Sequence, residues 1–436
     1  MPKVERYTKP LCFGTSLFLQ QATEYTDWKR FKSADVAELT FYEYNRQNAV
    51  TPSMTNLAAK LCAIHPTTTM QLVLKQASPA QEIIACKWKA VEWAKWLSLD
   101  DYMHKADRLA TLDHANDGKF ITWVLVPSDD PDTLDMLSTC TTFRREVLVL
   151  PPNETESFTS TGYVIAAVFT PPQLRCKGYA RHMMSLLHFA IAQLGGVPSF
   201  PISWGQPPQR IKTPGIVSVL YSSVGALYSQ CAPGEGTGWT VTEAKTARWS
   251  VGELGSPPVD PRVEFLSQGE AAVTVVKDIP TFKRDFESNG PSPHAQFAFL
   301  PTAAWCIFRM QNHMDHPDCV KSPPKSWGVR MHDMVGDTHF IIWTYKPYPQ
   351  LSRQLIVINS RTSPTTFTAL FRAMLSAAQA EGYDEIEAWG LHGELDSVVQ
   401  NTGGRILERE YQLPAMRWYG AEHEIVWLGN DKLNWF

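Results

Sequence analysis

The sequence predicts an α/β chain of the α+β kind, with mixed sheets in two successive domains. Three observations carry this expectation. A strand-like run at residues 162–169 leads through a short loop into a helical run at residues 181–194. A strand–strand–helix–strand series recurs after residue 327. The length of 436 residues exceeds the size at which a single core stops growing. Glycine and proline thicken between residues 252 and 261, which sets the expected domains at 1–250 and 251–436.

Each element follows from its own pattern. Residues 16–23 are a short apolar run with polar ends, as in a buried strand, and two or three helices follow. The clearest spans residues 81–99, with Ile84, Trp88, Val91, Trp96 and Leu97 among its apolar positions. Strands are expected at 120–126 and 146–150, then at 162–169 before the helix of 181–194, whose apolar stripe is Met184, Leu187, Ala190, Ile191 and Leu194. Five prolines make residues 195–214 a connecting loop. A strand at 216–221 follows, and Ser222 or Ser223 can cap a short helix through Tyr228. In the second half, strands are expected at 327–331, 339–345, 354–359 and 385–389. The helix at 365–380 carries Phe367, Leu370, Phe371, Met374 and Leu375.

Composition excludes several classes. An apolar fraction of 44% and a charged fraction of 19% describe an ordinary globular protein. A net charge of −4 without any basic block argues against nucleic acid as a partner. No apolar run reaches the roughly 20 residues of a membrane span, and the first residues lack a secretory core, so the cytosol is the expected compartment. The eight cysteines have no paired spacing and read as buried thiols, except Cys176 in the central loop. His313-x-x-His316-x-x-Cys319 has metal-like spacing, but without a further ligand pair it reads as a solvated loop, and no metal is expected. His182 and His188 are too far apart in register for a dyad. No Gly-x-Ser-x-Gly supports a serine hydrolase.

The chemistry concentrates in Arg175-Cys176-Lys177-Gly178-Tyr179-Ala180, between the strand of 162–169 and its helix. Unpaired N–H groups and the positive end of the helix dipole favour an anion at such a place. Gly178 and Ala180 let a pyrophosphate approach the backbone, and Arg175 and Lys177 add charge. This is neither a Walker loop nor a Gly-x-Gly-x-x-Gly turn. The Arg-x-x-Gly-x-Ala pattern resembles the coenzyme-A pyrophosphate loop of the GNAT superfamily of N-acetyltransferases. Further segments are similar to the fungal lysine N-acetyltransferases of that superfamily: Trp123 to Val126 with Leu137 to Arg144, Val168 to Ala180, Ser218 to Tyr228 with Gly238-Trp239, and Leu413-Pro414-Ala415 with Trp418-Tyr419-Gly420. Two departures stand out. Cys176 occupies a usual glycine position, and residues 229–237 lengthen a link that is normally short. The second half lacks the pattern, having Asn359-Ser360-Arg361-Thr362-Ser363-Pro364 in its place, which suggests a degenerate GNAT-like domain.

The resemblance implies acetyl-CoA as cosubstrate, a small amine as acceptor and direct attack in a ternary complex. Free L-lysine is the first acceptor implied; another small amine, a larger acyl group, or a non-catalytic acyl-CoA-binding protein are the alternatives. The pantetheine arm would lie along Ala167, Val168 and Thr170 like an added strand, with the Val168 N–H facing the thioester oxygen. Tyr228 is read as proton donor to the thiolate, with Tyr221 as the competing candidate. The base is not readable: Glu146, Asp100 and Asp101 are candidates, but each reads rather as a solvated surface charge. The N-myristoyltransferases, two-domain members of the superfamily, use their terminal carboxylate as base. The aromatic end Asn434-Trp435-Phe436 raises the same expectation here.

Overall fold

The computed structural model describes residues 71–436 apart from Lys95, Glu243, Asn289, residues 347–351, His392, His423 and Phe436. The strand expected at 16–23 lies outside the described residues. The fold is α+β, built on two mixed sheets. In chain order the first elements are β1 (Leu72–Gln76), α1 (Pro79–Trp93), α2 (Leu99–Ala110), β2 (Phe120–Pro127), β3 (Ser138–Leu150), β4 (Phe158–Phe169), α3 (Tyr179–Ile191), β5 (Val217–Ser222) and β6 (Thr240–Val241). They continue with β7 (Lys245–Ser250), β8 (Glu264–Leu266), α4 (Gln268–Ser288), β9 (Ala295–Phe299), α5 (Ala303–Gln311), α6 (Pro317–Lys321), β10 (Gly328–His332) and β11 (Thr338–Lys346). The last are β12 (Gln354–Arg361), α7 (Pro364–Ala380), β13 (Glu385–Trp389), α8 (Asp396–Asn401), β14 (Arg405–Glu408), β15 (Leu413–Trp418) and β16 (Ile425–Trp427).

The first sheet runs β1-β2-β3-β4-β5-β15-β6, with β9 paired to β3 and β16 to β9. The second runs β14-β7-β13-β12-β11-β10-β8. Strands from both sides of residue 250 thus build each sheet. In both, an antiparallel series ends in a parallel pair joined by a helix: β4–α3–β5 in one, β12–α7–β13 in the other.

Local chemistry explains most boundaries. Pro79 opens α1 behind a capping box, in which the Ser78 N–H donates to Gln81 Oε1 at 3.0 Å and the Gln81 N–H to Ser78 Oγ at 3.4 Å. The single helix expected over 81–99 is two, because Ala94 leaves helical geometry and Ser98 caps α2 by accepting the Asp101 N–H at 3.1 Å. β3 begins eight residues before the expected 146, at Ser138. Its early Ser and Thr residues are buried; the hydroxyls of Ser138, Thr141 and Thr142 are satisfied within the sheet, and that of Thr139 has no partner among the described residues. Ser138 donates to the Phe169 carbonyl at 2.8 Å, Thr141 to that of Ala166 at 3.1 Å, and Thr142 accepts from Trp123 Nε1 at 2.9 Å.

Met183, Leu187 and Ala190 of α3 pack on Trp123, Leu125, Ile165 and Leu220 of the first sheet. Phe367, Leu370, Phe371 and Met374 of α7 pack on Trp249 and Val357 of the second. Each of these Leu, Ile, Phe and Met side chains contributes roughly 1.5–3 kcal/mol by leaving water. Among the described residues, no helix is long and apolar enough to cross a membrane. Cys140, Cys231, Cys306 and Cys319 are buried free thiols, Cys86 is half-buried and Cys176 is exposed.

Candidate active site

The site begins where β4 and β5 part. The two strands are in parallel register only from Gly162–Val217 to Val164–Val219. Beyond Val164 the β5-facing edge of β4 has no strand partner among the described residues, which leaves backbone groups an extended ligand could pair with. On the other edge β4 carries a bulge: Phe169 lies opposite Thr139 and Ala166 opposite Thr141, leaving Ala167 and Val168 against Cys140. Ala167 has φ of 50°, a left-handed conformation that costs a residue with a Cβ about 1–2 kcal/mol. The bulge falls on the residues expected to hold the pantetheine arm, Ala167 and Val168. Just beyond, the Thr170 hydroxyl sits 2.9 Å from that of Ser138.

A loop then feeds α3. Cys176 has φ of 60° and Gly178, the N-cap of α3, has φ of 83°. The left-handed turn at 176 explains why glycine is usual there. Among the described residues no side chain caps α3, so the donors of its first turn face outward around Tyr179 and Ala180. Lys177 is exposed beside them. Arg175 serves the loop instead: its Nε donates to the Thr170 carbonyl at 3.1 Å and its Nη2 lies 3.4 Å from Glu92 of α1.

The matching place in the second sheet is built otherwise. Asn359, Ser360 and Arg361 belong to β12. Arg361 is paired with both Asp278 and Asp285. α7 opens on Pro364, which has no N–H, and the Ser363 N–H donates to Thr366 Oγ1 at 3.1 Å. Its guanidinium is neutralised and its helix start is short of free donors, so the place is unsuited to a phosphate.

The two tyrosines differ. The short helix expected through Tyr228 is instead a 3-10 turn, Tyr228–Gln230, after an irregular stretch. The Tyr228 ring is buried against Trp239, and its hydroxyl has no hydrogen-bond partner among the described residues. Burial pushes its pKa up, so it stays a neutral donor. The added residues 229–237 close on themselves: the Gly238 N–H donates to the Ser229 carbonyl at 2.7 Å and the Trp239 N–H to that of Tyr228 at 3.0 Å. A Cβ at Gly238 would lie 2.3 Å from the Tyr228 carbonyl oxygen, so only glycine fits. Tyr221, on β5 two residues past the last β4 pair, donates its hydroxyl to Asn430 Oδ1 at 2.7 Å. Burial pushes its pKa up as well.

His188 anchors α3 from behind. Its ring nitrogens lie 2.8 Å from the Tyr419 hydroxyl and 2.9 Å from the Cys231 carbonyl, and it stacks on Trp239. Burial pushes its pKa down to about 3, so it stays neutral. Ser218 completes the network, 2.8 Å from the Tyr419 hydroxyl and 2.9 Å from Trp239 Nε1.

Of residues 430–435, the sequence drew attention to Asn434 and Trp435 and not to Asn430, Asp431 or Lys432. Asp431 accepts from Asn359 Nδ2 at 2.8 Å and from the Leu433 N–H at 3.1 Å. Burial pushes its carboxyl up to about 7, against the opposing pull of Asn359 and Arg145. Arg145, buried in β3, donates to Asn434 Oδ1 at 2.8 Å. Lys432 lies 3.5 Å from the Trp389 ring centre and 4.3 Å from that of Trp435. Phe436, which would carry the carboxylate considered above, is outside the described residues. The other base candidates, Glu146, Asp100 and Asp101, are exposed.

The 313–319 segment departs from the solvated loop expected. His313, His316 and Cys319 are buried, and His316 accepts the Asp318 N–H at 3.2 Å to cap α6. Among the described residues, no three His, Cys, Asp or Glu side chains gather as metal ligands.

Residues 247–436 match the family described as LYC1 GNAT-like C-terminal domain. A lysine acetyltransferase of Yarrowia lipolytica is 30% identical over 148 residues, 32% of this chain and 34% of that one. The chain thus matches about a third of the length of that curated relative. Two solved structures are similar. One is a probable N-acyltransferase from Enterococcus faecalis (TM-score 0.46, 9% identity, 81% of this chain and 73% of that one). The other is a GCN5-related N-acetyltransferase from Kribbella flavida (TM-score 0.45, 13% identity, 80% and 71%). Residues 247–436 are therefore a LYC1-like GNAT-like domain, and part of the chain is distantly similar to a fungal lysine acetyltransferase.

Proposed function

We propose that the chain transfers an acetyl group from acetyl-CoA to the amine of a small molecule, with the side-chain amine of free L-lysine as first acceptor. The fork between β4 and β5, bulged at left-handed Ala167 and running into the uncapped start of α3, carries this reading. Residues 1–250 would then hold the catalytic site and 251–436 a GNAT-like domain without a coenzyme loop. The partial likeness to the Yarrowia lysine acetyltransferase supports the acceptor. Acetyl-CoA supplies an activated acyl carbonyl when bound. The chain's share is to position and to move protons. The open edge of β4 at Ala167, Val168 and Thr170 would hold the pantetheine arm, with the Val168 N–H directed at the carbonyl oxygen. Lys177 and the backbone of Cys176, Gly178, Tyr179 and Ala180 would take the pyrophosphate, with Arg175 bracing the loop. Tyr228, neutral and with its hydroxyl uncommitted, would give a proton to the leaving thiolate. Holding amine and carbonyl side by side supplies much of the rate.

The test is release of coenzyme-A thiol from acetyl-CoA with L-lysine, ornithine, polyamines and an amine-free blank. Turnover selective for lysine is expected. Coenzyme binding with no thiol release under any acceptor would overturn the reading in favour of a non-catalytic acyl-CoA-binding protein. The added residues 229–237 beside Tyr228 favour one second reading, a different small amine or a larger acyl group on the same site.

A further inference from the structure

Arg409 follows β14 and is fixed by its backbone, whose N–H donates to the Ala244 carbonyl at 2.9 Å. Its guanidinium lies 3.6 Å from the centre of the Trp389 ring. Nε and Nη1 are both closed off from solvent, and neither has a hydrogen-bond partner among the described residues. A buried donor left unmade costs roughly 1–3 kcal/mol, and native structures keep few of them. Among the described residues, the carboxylates of Glu387 and Asp431 are engaged elsewhere. Glu387 accepts from Trp389 Nε1 at 2.7 Å and pairs with Arg248 at 3.0 Å and Lys432 at 3.7 Å. Asp431 is held by Asn359 and the Leu433 N–H. Beyond burial, Lys346, Arg309 and Arg409 all lower the pKa of Lys432, and Glu387 opposes them.

This place adjoins the fork. The Trp389 ring is 5.8 Å from that of Tyr221, which stands on β5 just past the last pair with β4. A guanidinium laid flat on an indole keeps its in-plane N–H groups for another partner, and in-plane donors match a carboxylate. We infer that Arg409 anchors a carboxylate of the acceptor, so the acceptor is an amino acid rather than a simple diamine. This rests on the transferase reading of the same site and adds the residue that selects the acceptor class.

The test compares L-lysine with cadaverine, which has the same terminal amine and no carboxylate, in wild type, Arg409→Gln and Arg409→Lys. Wild type should favour lysine in kcat/KM. Arg409→Gln should raise the KM for lysine by about 10–100-fold, the worth of a charged hydrogen bond, with kcat moving much less. The lysine-to-cadaverine ratio should collapse accordingly, and Arg409→Lys should restore part of it. Calorimetry of both amines on coenzyme-A-loaded protein runs alongside. An equal loss for lysine and cadaverine, or an unmoved lysine KM, overturns the inference and leaves the transferase standing. Lysine binding that vanishes in Arg409→Gln, in a protein with no turnover, upholds the anchor and removes the transferase reading. No lysine binding by wild type overturns the anchor.

Discussion

The Tyr221 hydroxyl donates to Asn430 Oδ1 at 2.7 Å across 209 residues of sequence. The strand that opens the fork is thereby tied to the 430–435 segment. Arg145 of β3 repeats the link two strands away, through Asn434 Oδ1 at 2.8 Å. One wall of the site is therefore made by late residues laid over the first sheet.

The two tyrosines should separate in mutants. Tyr228→Phe removes a hydroxyl with no protein partner among the described residues, so urea midpoints should hardly move while kcat falls about 100-fold or more. Tyr221→Phe breaks the bond to Asn430 and should cost about 1 kcal/mol of stability, with a much smaller loss of kcat. The reverse pattern of rates would transfer the donor role to Tyr221.

Ala167 tests the bulge. Valine, branched at Cβ, is poorly tolerated at φ of 50°, so Ala167→Val should lower stability by about 1–2 kcal/mol and raise the KM for acetyl-CoA. Ala167→Gly relieves the same strain and should keep the acetyl-CoA KM close to wild type. Urea titration and initial rates on both variants decide it; a valine variant with unchanged KM would detach the bulge from coenzyme binding.

What the sequence made legible was local. The loop from Arg175 to Ala180 could be read because strand, turn and helix start lie within some twenty residues and each has its own residue chemistry. The helix at Pro364–Ala380 was readable from its apolar period. The break before α2 carried a signal too, Ser98 three residues ahead of Asp101, which the tryptophan stripe obscured. Other features had none. β9, Ala295–Phe299, is buried at all five positions and shows no alternation. α4 has Pro280 inside it. Asp431, Arg409 and Asn434 acquire their surroundings only through contacts with β3, β12 and β13, which no neighbouring residues announce.

Asp431 gives stability a pH dependence with a definite sign. Its carboxyl titrates near 7 in the fold, raised by burial, and near 3.9 in an unfolded chain. Between about pH 4 and 7 the native state therefore binds more protons than the unfolded one, and stability falls as pH rises through that window. Arg145 and Asn359, which face the group, reduce the effect without reversing it. Asp431→Asn removes the charge, so its urea midpoint should gain on wild type at pH 8 and lose that advantage toward pH 5. A gap that does not change with pH would mean that burial leaves this carboxyl near its ordinary value.

Gly162 fixes where the fork begins, pairing with Arg145 on β3 and Val217 on β5. A Cβ there would lie 2.8 Å from Phe299 Cε1, 2.8 Å from Val147 Cγ1 and 3.1 Å from Val217 Cγ1. Alanine at 162 must therefore push β4 away from both β5 and the Phe299 ring of β9, at a cost of about 1–3 kcal/mol. Because β4 and β5 are registered over only three pairs, the displacement should also reach the open edge and raise the KM for acetyl-CoA. Pairing Gly162→Ala with Phe299→Leu separates the two effects. If the ring is the main obstacle, the double variant should recover part of the stability lost by alanine alone, a coupling read from a double-mutant cycle. Strict additivity would locate the strain in the β3 and β5 side chains instead.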